Sequence, residues 1–468
     1  MTTLRRHVLE YEVFPFAQFL MRGRFWSSAK EFRKLQWLAQ EELEHRQMEK
    51  LRKIVAHAYE NVPFYRKRFK EVGFTPNDLR RREDIAKIPI LTKEEIRRNF
   101  PQIIATNINR NRRKIDSTSG SSGEPLVFYR DTTTDDLKVA SDLLVNSWCG
   151  IEPGDRILWI THPRQIGVRN LTDYITRMLW NKTTDLHWIA VSQIQEENAD
   201  AVVKFMDKIK PRCLYGYTSG LLMLARCLNG RDSRSNSYVR AIVSSSETLS
   251  PFHKKLIQET FDCGIFNRYG MRELGGSVAQ DCERHEGLHV NTELYLAEVT
   301  RDGQSVASGE KGQVLVTDLC NMVMPFIRYQ TGDIAVYGEL PCSCGRGFPI
   351  IETIVGRETE SVNIRTPSGK IITHPGYFLV LGDFVKHIRQ FQFFQERLDE
   401  LTVKVVPYET FNSEVAERLT NFLNNSFGTE IKVALEIVDE IPPERSGKRP
   451  IVKSKIQVQF SKGSHSKT

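Results

Sequence analysis

Two patterns in this sequence combine residue types that can do chemistry. The first opens with Ser117-Thr118-Ser119-Gly120-Ser121-Ser122-Gly123-Glu124-Pro125. A loop of small hydroxyls and glycines exposes backbone N–H groups and lets them approach phosphate oxygens closely. No Gly-Lys-Ser/Thr ends it, so it is not a Walker A loop, and alone such a stretch is more often a linker. Downstream come Ser244-Ser245-Ser246-Glu247, Tyr269-Gly270-Met271-Arg272-Glu273 and Arg328-Tyr329-Gln330-Thr331-Gly332-Asp333. Gly356-Arg357 and Ser446-Gly447-Lys448 follow. A carboxylate such as Asp333 can accept from two neighbouring hydroxyls, and one such as Glu273 can hold a hard cation. A positioned lysine such as Lys448 stabilises developing negative charge. Each also has a bland reading. Asp333 after Thr331-Gly332 reads as a turn aspartate, Glu273 as a surface or capping residue, and Lys448 as a solvated lysine.

The second pattern is sulfur and imidazole. Cys282 precedes His285 and His289, and Cys342-Ser343-Cys344-Gly345 follows. Two cysteines one residue apart form a tight chelating turn, and a distant Cys/His pair completes a tetrahedral Cys₃His zinc site. The competing reading is ordinary cytosolic thiols packed as small hydrophobes. A closed four-ligand site implies a structural metal. Cys149, Cys213, Cys227, Cys263 and Cys320 have no partner pattern and read as packing residues.

In their order along the chain, the pieces of the first pattern resemble the signature set of the adenylate-forming superfamily. That superfamily holds acyl-CoA ligases, peptide-synthetase adenylation domains and luciferases. The finer resemblance is to the phenylacetate–CoA ligase-like branch, with its CapK-like capsular-polysaccharide relatives and its AMP-transferring synthetases. His57-Ala58-Tyr59-Glu60-Asn61-Val62-Pro63-Phe64-Tyr65, Pro89-Ile90-Leu91-Thr92-Lys93 and Met324-Pro325-Phe326-Ile327-Arg328-Tyr329 carry it. It spans about residue 50 to about residue 455.

The resemblance implies roles. Ser119, Gly120, Ser121, Ser122 and Gly123 would hold the β- and γ-phosphates of ATP. Glu247 and Tyr269 would meet the adenine side, Asp333 the ribose hydroxyls, and Glu273 a Mg²⁺ ion. Arg357 would touch the ribose at a domain junction, and Lys448 would reach the reacting carboxylate and α-phosphate. In the metal pattern it favours Cys282, His289, Cys342 and Cys344 over a set with His285. The sequence also departs from the family. Glu124 stands where a lysine often follows the loop, Arg272 where a threonine precedes the glutamate, and Glu358-Thr359-Glu360 where an aspartate marks the hinge.

The implied reaction uses ATP and Mg²⁺ to activate a carboxylic acid as its acyl-adenylate, with transfer to coenzyme A. The alternatives are transfer to an amine, a hydroxyl or a carrier protein, transfer of AMP itself, and a non-catalytic binding module. The acyl pocket would be lined around Thr161 to Arg169 and Tyr215 to Ser219. Tyr215 and Tyr217 suit an aromatic acid, though tyrosines two apart are more often one face of a strand. A homodimer remains open.

These groups need a scaffold of more than one core, because 468 residues exceed a single ordinary core. Residues 1–100 read as mainly helical: Leu51, Ile54, Val55, Ala58 and Tyr59 have helical spacing until Asn61-Val62-Pro63. Thr92 with Glu95 caps a further helix. From about 115 to 340 strand-like runs at Arg156–Ile160, Tyr238–Val243 and Gln313–Thr317 alternate with helical ones, which predicts an α/β layered domain. Beyond Gly356-Arg357, strands at Phe391–Gln395 and Leu401–Val406, a helix over Ser413–Phe427 and a strand at Ile431–Val438 predict a small α+β lid. Val415, Leu419, Phe422 and Leu423 form that helix's apolar side. The domains are therefore expected at 1–355 and 356–460, with a disordered tail over 461–468.

With 40% hydrophobic and 26% charged residues the chain is globular. A net charge of +8 and two basic clusters, Arg80-Arg81-Arg82 and Arg110, Arg112, Arg113, Lys114, give no nucleic-acid motif. Scattered cysteines, no apolar run of about 18 residues and no cleavable leader make a cytoplasmic location the expectation.

Overall fold

The computed structural model describes residues 2–20, 23–118, 125–161, 181, 184–194, 196–228, 237–338, 341–357, 362–365, 371–374, 381, 384, 387–427, 431–442 and 450–456. The expected tail, 461–468, lies outside them.

The chain starts as helices. Leu43, Gln47, Leu51, Ile54, Val55 and Ala58 recur at helical spacing and are the buried face of the helix Gln40–Asn61. That helix stops because Val62 is extended before Pro63, whose fixed φ suits the first turn of the next helix, Pro63–Glu71. Thr92 and Glu95 form the expected reciprocal cap: Glu95 N–H donates to Thr92 Oγ1 at 3.2 Å, and Thr92 N–H to Glu95 Oε2 at 2.9 Å. Leu91 then pins this segment to the sheet, donating to Arg328 O at 3.0 Å and accepting from Gln330 N at 2.9 Å.

β1 (Lys114–Ser117) and β2 (Val127–Arg130) form a hairpin at the base of the Gly/Ser loop. A twelve-stranded sheet follows. Its first half is β3 (Ile157–Thr161), β4 (Leu186–Ala190), β5 (Cys213–Tyr217), β6 (Ala241–Ser245) and β7 (Gly264–Met271). The second half is β8 (Gly276–Asp281), β9 (Leu288–Val290), β10 (Tyr295–Arg301), β11 (Gln304–Ser305), β12 (Lys311–Asp318), β13 (Tyr329–Tyr337) and β14 (Ile350–Arg357). The spatial order is β11-β10-β12-β13-β14-β9-β8-β7-β6-β5-β3-β4. The run from β4 to β7 is parallel and the rest antiparallel.

The parallel run needs covering on its faces. The helices Ala199–Ile209, Thr218–Leu228 and Pro251–Phe261 cover one of them, burying Val202, Met206, Leu221, Leu224 and Ile257 against Leu158, Ile160, Leu214 and Ile242. The antiparallel half shares a second core with the N-terminal helices, through Leu51, Ile54, Val314, Val316 and Phe326.

A third core lies in the last hundred residues. β15 (Val362–Arg365) pairs with β16 (Ile371–His374). β17 (Ile388–Arg397), β18 (Glu400–Pro407), β19 (Lys432–Ile437) and β20 (Val452–Ser454) form a sheet ordered β19-β18-β17-β20. The helix Ser413–Phe427 lays Leu419 and Leu423 on it beside Phe393 and Val403. Phe422, expected on the apolar side, is instead 38% exposed at the helix margin against the Phe384 ring. The architecture is the expected one: a large layered α/β unit with a helical start and a small α+β unit after it.

Candidate active site and metal centre

β7 and β13 are not neighbours, because β14, β9 and β8 lie between them. The sheet nevertheless curls enough to join their ends. Tyr269 Oη donates to Asp333 Oδ2 at 2.7 Å, and Tyr329 Oη donates to Glu273 Oε1 at 2.8 Å. β7 thus supplies a tyrosine to a carboxylate of β13, and β13 supplies one to the carboxylate two residues past the end of β7. All four residues are buried. Burial, then the adjacent carboxylate, pushes both phenols well above their ordinary pKa, so they stay O–H donors.

Further groups converge here. Arg357 is the register partner of Asp333 across β13 and β14, and its Nε stands 3.5 Å from Asp333 Oδ1. The segment pinned by Leu91 brings Lys93 Nζ to 3.7 Å from Glu273 Oε1. The sequence signal for Lys93 is the capped helix start beside it, Thr92 with Glu95.

Glu247 follows β6 and sits at the N-terminus of the helix Thr218–Leu228. It accepts from Ser219 N at 2.7 Å and from Ser219 Oγ at 3.0 Å, where a carboxylate also suits the helix dipole. Arg272 has a partner too: its Nη2 lies 2.9 Å from Asp116 Oδ1, while Arg130 Nη2 holds Asp116 Oδ2 at 2.7 Å. This ties the glutamate segment to β1, immediately before the Gly/Ser loop. Ser119, Gly120, Ser121, Ser122 and Gly123 lie outside the described residues, but the loop's ends are joined. Thr118 N donates to Leu126 O at 3.0 Å, and Leu126 N donates to Thr118 Oγ1 at 2.9 Å. Lys448 also lies outside the described residues.

Elsewhere on the sheet, Cys282, His289, Cys342 and Cys344 bring their donor atoms within 4.8 Å of one another. Cys282 Sγ and Cys342 Sγ are 3.6 Å apart, and Cys344 Sγ and His289 Nε2 are 3.4 Å apart. A tetrahedron with bonds of about 2.0–2.3 Å has edges of roughly 3.3–3.8 Å, so these are vertex spacings. His289 Nδ1 is 3.2 Å from Phe348 O, an arrangement that assigns the proton to Nδ1 and leaves Nε2 facing the sulfurs. Burial lowers the His289 pKa to about 4, so the ring is neutral, as a ligand requires. Backbone N–H groups of Arg284 and Arg346 point at Cys282 Sγ and Cys344 Sγ, at 3.5 and 3.4 Å. His285 is elsewhere, bonded through Nδ1 to Asp281 Oδ2 at 2.8 Å.

This cluster is wired to the N-terminal helices. Gln36 Oε1 accepts from Arg346 Nε at 3.0 Å and from Trp148 Nε1 at 2.8 Å, and Gln36 O accepts from Gly347 N at 2.9 Å. Gly347 must be glycine here, since a Cβ would lie 2.0 Å from Leu38 O. No helix among the described residues is long and apolar enough to cross a membrane.

The chain is similar to known proteins along most of its length. A family model described as the CapK C-terminal domain matches residues 364–455. The chain is 25% identical over 446 residues to the phenylacetate-coenzyme A ligase of Thermus thermophilus, covering 88% of this chain and 97% of that protein. It is 23% identical over 368 residues to Protein CapK of Staphylococcus aureus, covering 78% of this chain and 79% of that one. Among solved structures, 2-hydroxyisobutyryl-CoA ligase in its postadenylation state shares the fold, with a TM-score of 0.75 at 20% identity over 90% of this chain and 91% of that chain. Along most of its length the chain is similar to the phenylacetate-coenzyme A ligases and Protein CapK, and residues 364–455 match the CapK C-terminal model.

Proposed function

We propose that this protein is an AMP-forming acid–CoA ligase. A carboxylate oxygen attacks the α-phosphorus of ATP, the bond to the bridging oxygen breaks, and pyrophosphate leaves. The sulfur of coenzyme A then attacks the carbonyl carbon of the acyl-adenylate, and AMP departs with the bonding electron pair. The observation that carries this reading is the reciprocal pairing of Tyr269 with Asp333 and Tyr329 with Glu273, with Arg357 and Lys93 beside the two carboxylates.

In this reading Asp333 exchanges part of its bonding for the two ribose hydroxyls, with Tyr269 and Arg357 fixing its orientation. Glu273, oriented by Tyr329, would hold Mg²⁺, which when bound neutralises phosphate oxygens. The backbone of Ser119–Gly123 cradles the leaving phosphates, and Glu247 stands on the adenine side. Lys448, on the lid beginning near Gly356-Arg357, stabilises charge on the α-phosphate oxygens. Cys282, His289, Cys342 and Cys344 would hold a structural Zn²⁺, since four protein donors leave no open position.

ATP–pyrophosphate exchange over a panel of carboxylic acids, followed by thioester formation with free coenzyme A, tests the proposal. Exchange with no acid, in protein that is folded, would overturn it. One observation favours a second acceptor: the C-terminal domain matches the CapK model. There the same adenylate would pass to an amine or hydroxyl, and exchange would occur without thioester.

A further inference from the structure

The N-terminal helices carry a row of apolar side chains that faces outward. Thr2–Val8 and Phe14–Leu20 are α-helical, and a π turn over Leu9–Val13 joins them. The wider turn re-phases the helix, so Tyr11 and Phe16, five residues apart, both point to solvent. Leu4, Val8, Tyr11, Phe16, Phe19 and Leu20 recur at helical spacing and are 36–79% exposed. Six of the fourteen exposed large hydrophobics among the described residues therefore fall between residues 4 and 20. Single exposed apolar residues are ordinary, whereas a contiguous row marks a surface that something covers.

The opposite side fixes this helix to the protein. Leu9 and Phe14 are buried, and the Phe14 ring packs edge-on against Phe25 and Trp26 at 5.8 and 5.1 Å. Arg6 Nη2 lies 3.3 Å from Glu152 Oε2, and Arg5 pairs with Asp185. The row is thus displayed by an anchored helix.

The next helix, Phe25–Leu35, sets positive charge beside the row. Lys30 Nζ stands 5.9 Å from the Tyr11 ring centroid and 5.3 Å from that of Trp26. Lys34 follows one turn on, and Trp37, 54% exposed, comes next at the same spacing. Residues 1–40 hold seven lysines and arginines against three glutamates, half of the chain's net charge of +8. Of those glutamates, Glu10 pairs with Arg6 and Glu31 with Arg46, and Glu12 is exposed between Val8 and Phe16.

An apolar helix side of Leu, Phe and Tyr flanked by lysines and a tryptophan has the composition of a helix that lies in a bilayer interface. Lysine is depleted at protein–protein interfaces, which disfavours a second copy of the chain as the cover. We infer that this face docks the protein on an anionic lipid surface. The row enters the boundary between headgroups and acyl chains, and Lys30 and Lys34 meet lipid phosphates. The helix lies along the membrane and does not cross it. The surface shares no residue with the adenylate site, and the inference is independent of the ligase reading.

The test is co-sedimentation of the full chain with vesicles of phosphatidylcholine alone and of phosphatidylcholine with phosphatidylglycerol in equal parts. The parent should partition onto the anionic vesicles at least about 10-fold more strongly, and high salt should release it. Phe16→Ser with Phe19→Ser should weaken that partition by roughly 10- to 100-fold through lost apolar burial. Lys30→Gln with Lys34→Gln should cost about fivefold per lysine. All four side chains are exposed, so the thermal midpoints of both variants should stay at the parent value. A parent that ignores anionic vesicles, that binds both compositions equally, or whose binding survives the two Phe→Ser changes overturns the inference. So does a parent dimer that the same two changes split into monomers, because the row would then be covered by a second copy.

Discussion

Tyr269 reaches across three intervening strands to donate to Asp333 at 2.7 Å, and the reciprocal bond runs from Tyr329 at the start of β13 to Glu273, two residues past the end of β7. Tyr329 stands four residues before Asp333, as Tyr269 stands four before Glu273. One curl of the sheet therefore orients both carboxylates, and each is held by a phenol that burial keeps protonated.

Asp333→Ala should weaken ATP binding by on the order of 2 kcal/mol or more, because charge-assisted bonds to the ribose are lost. Tyr269→Phe should weaken it less, since only the orienting bond goes. Calorimetry on both variants checks this. Unchanged ATP affinity in a folded Asp333→Ala protein removes Asp333 from the nucleotide site.

Metal analysis of protein purified without added zinc should find about one equivalent per chain. Replacing Cys342 and Cys344 together by serine should abolish it and lower thermal stability, because site formation is coupled to folding. The damage should spread to the N-terminus. Gln36 bonds to Arg346, Gly347 and Trp148 around the cluster, so limited proteolysis of the double variant should cut first before residue 40. A metal-free parent of undiminished stability would falsify the site.

Much of this was legible because local chemistry forced it. Pro63 ends one helix and starts the next, Thr92 and Glu95 cap each other, and Leu419 and Leu423 mark the buried side of the last helix. The Cys/His cluster was legible from its paired elements, and the resemblance favoured His289, the histidine found beside the cysteines. What was not legible depends on strand order. Nothing near Tyr329 announces Glu273, because that contact exists only once the sheet has curled. Asp333 showed the same limit: Gly332 beside it has φ +81 and suggests a turn, yet the pair lies inside β13.

The place of Arg328 is structural. The side chain is fully buried. It donates to Glu298 Oε1 at 3.0 Å, Gly303 O at 2.6 Å and Ile88 O at 2.9 Å, joining the N-terminal segment to β10 and β13. Removing one member of a buried pair strands the other, at about 3–5 kcal/mol. Arg328→Met should therefore destabilise by about that much, and adding Glu298→Leu should restore part of it. Denaturant midpoints of the single and double variants measure the coupling. A double variant no more stable than the single one would assign the loss to the carbonyl contacts instead.

Lys448 separates the two half-reactions. By sequence it belongs to the unit that follows β14, whose last residue, Arg357, faces Asp333. If that unit is a lid closing over the site for adenylation, Lys448 acts in the first step alone. One positioned donor is typically worth about 10²- to 10³-fold in rate, so Lys448→Ala should slow pyrophosphate release by roughly that factor. The lid must then turn about a hinge near Gly356 to admit the acceptor, and Lys448 leaves with it. Given preformed acyl-adenylate and coenzyme A, the variant should make thioester at near the parent rate. Single-turnover assays of each step compare the two losses directly. Equal losses would mean one fixed pose, and the moving lid would have to be abandoned.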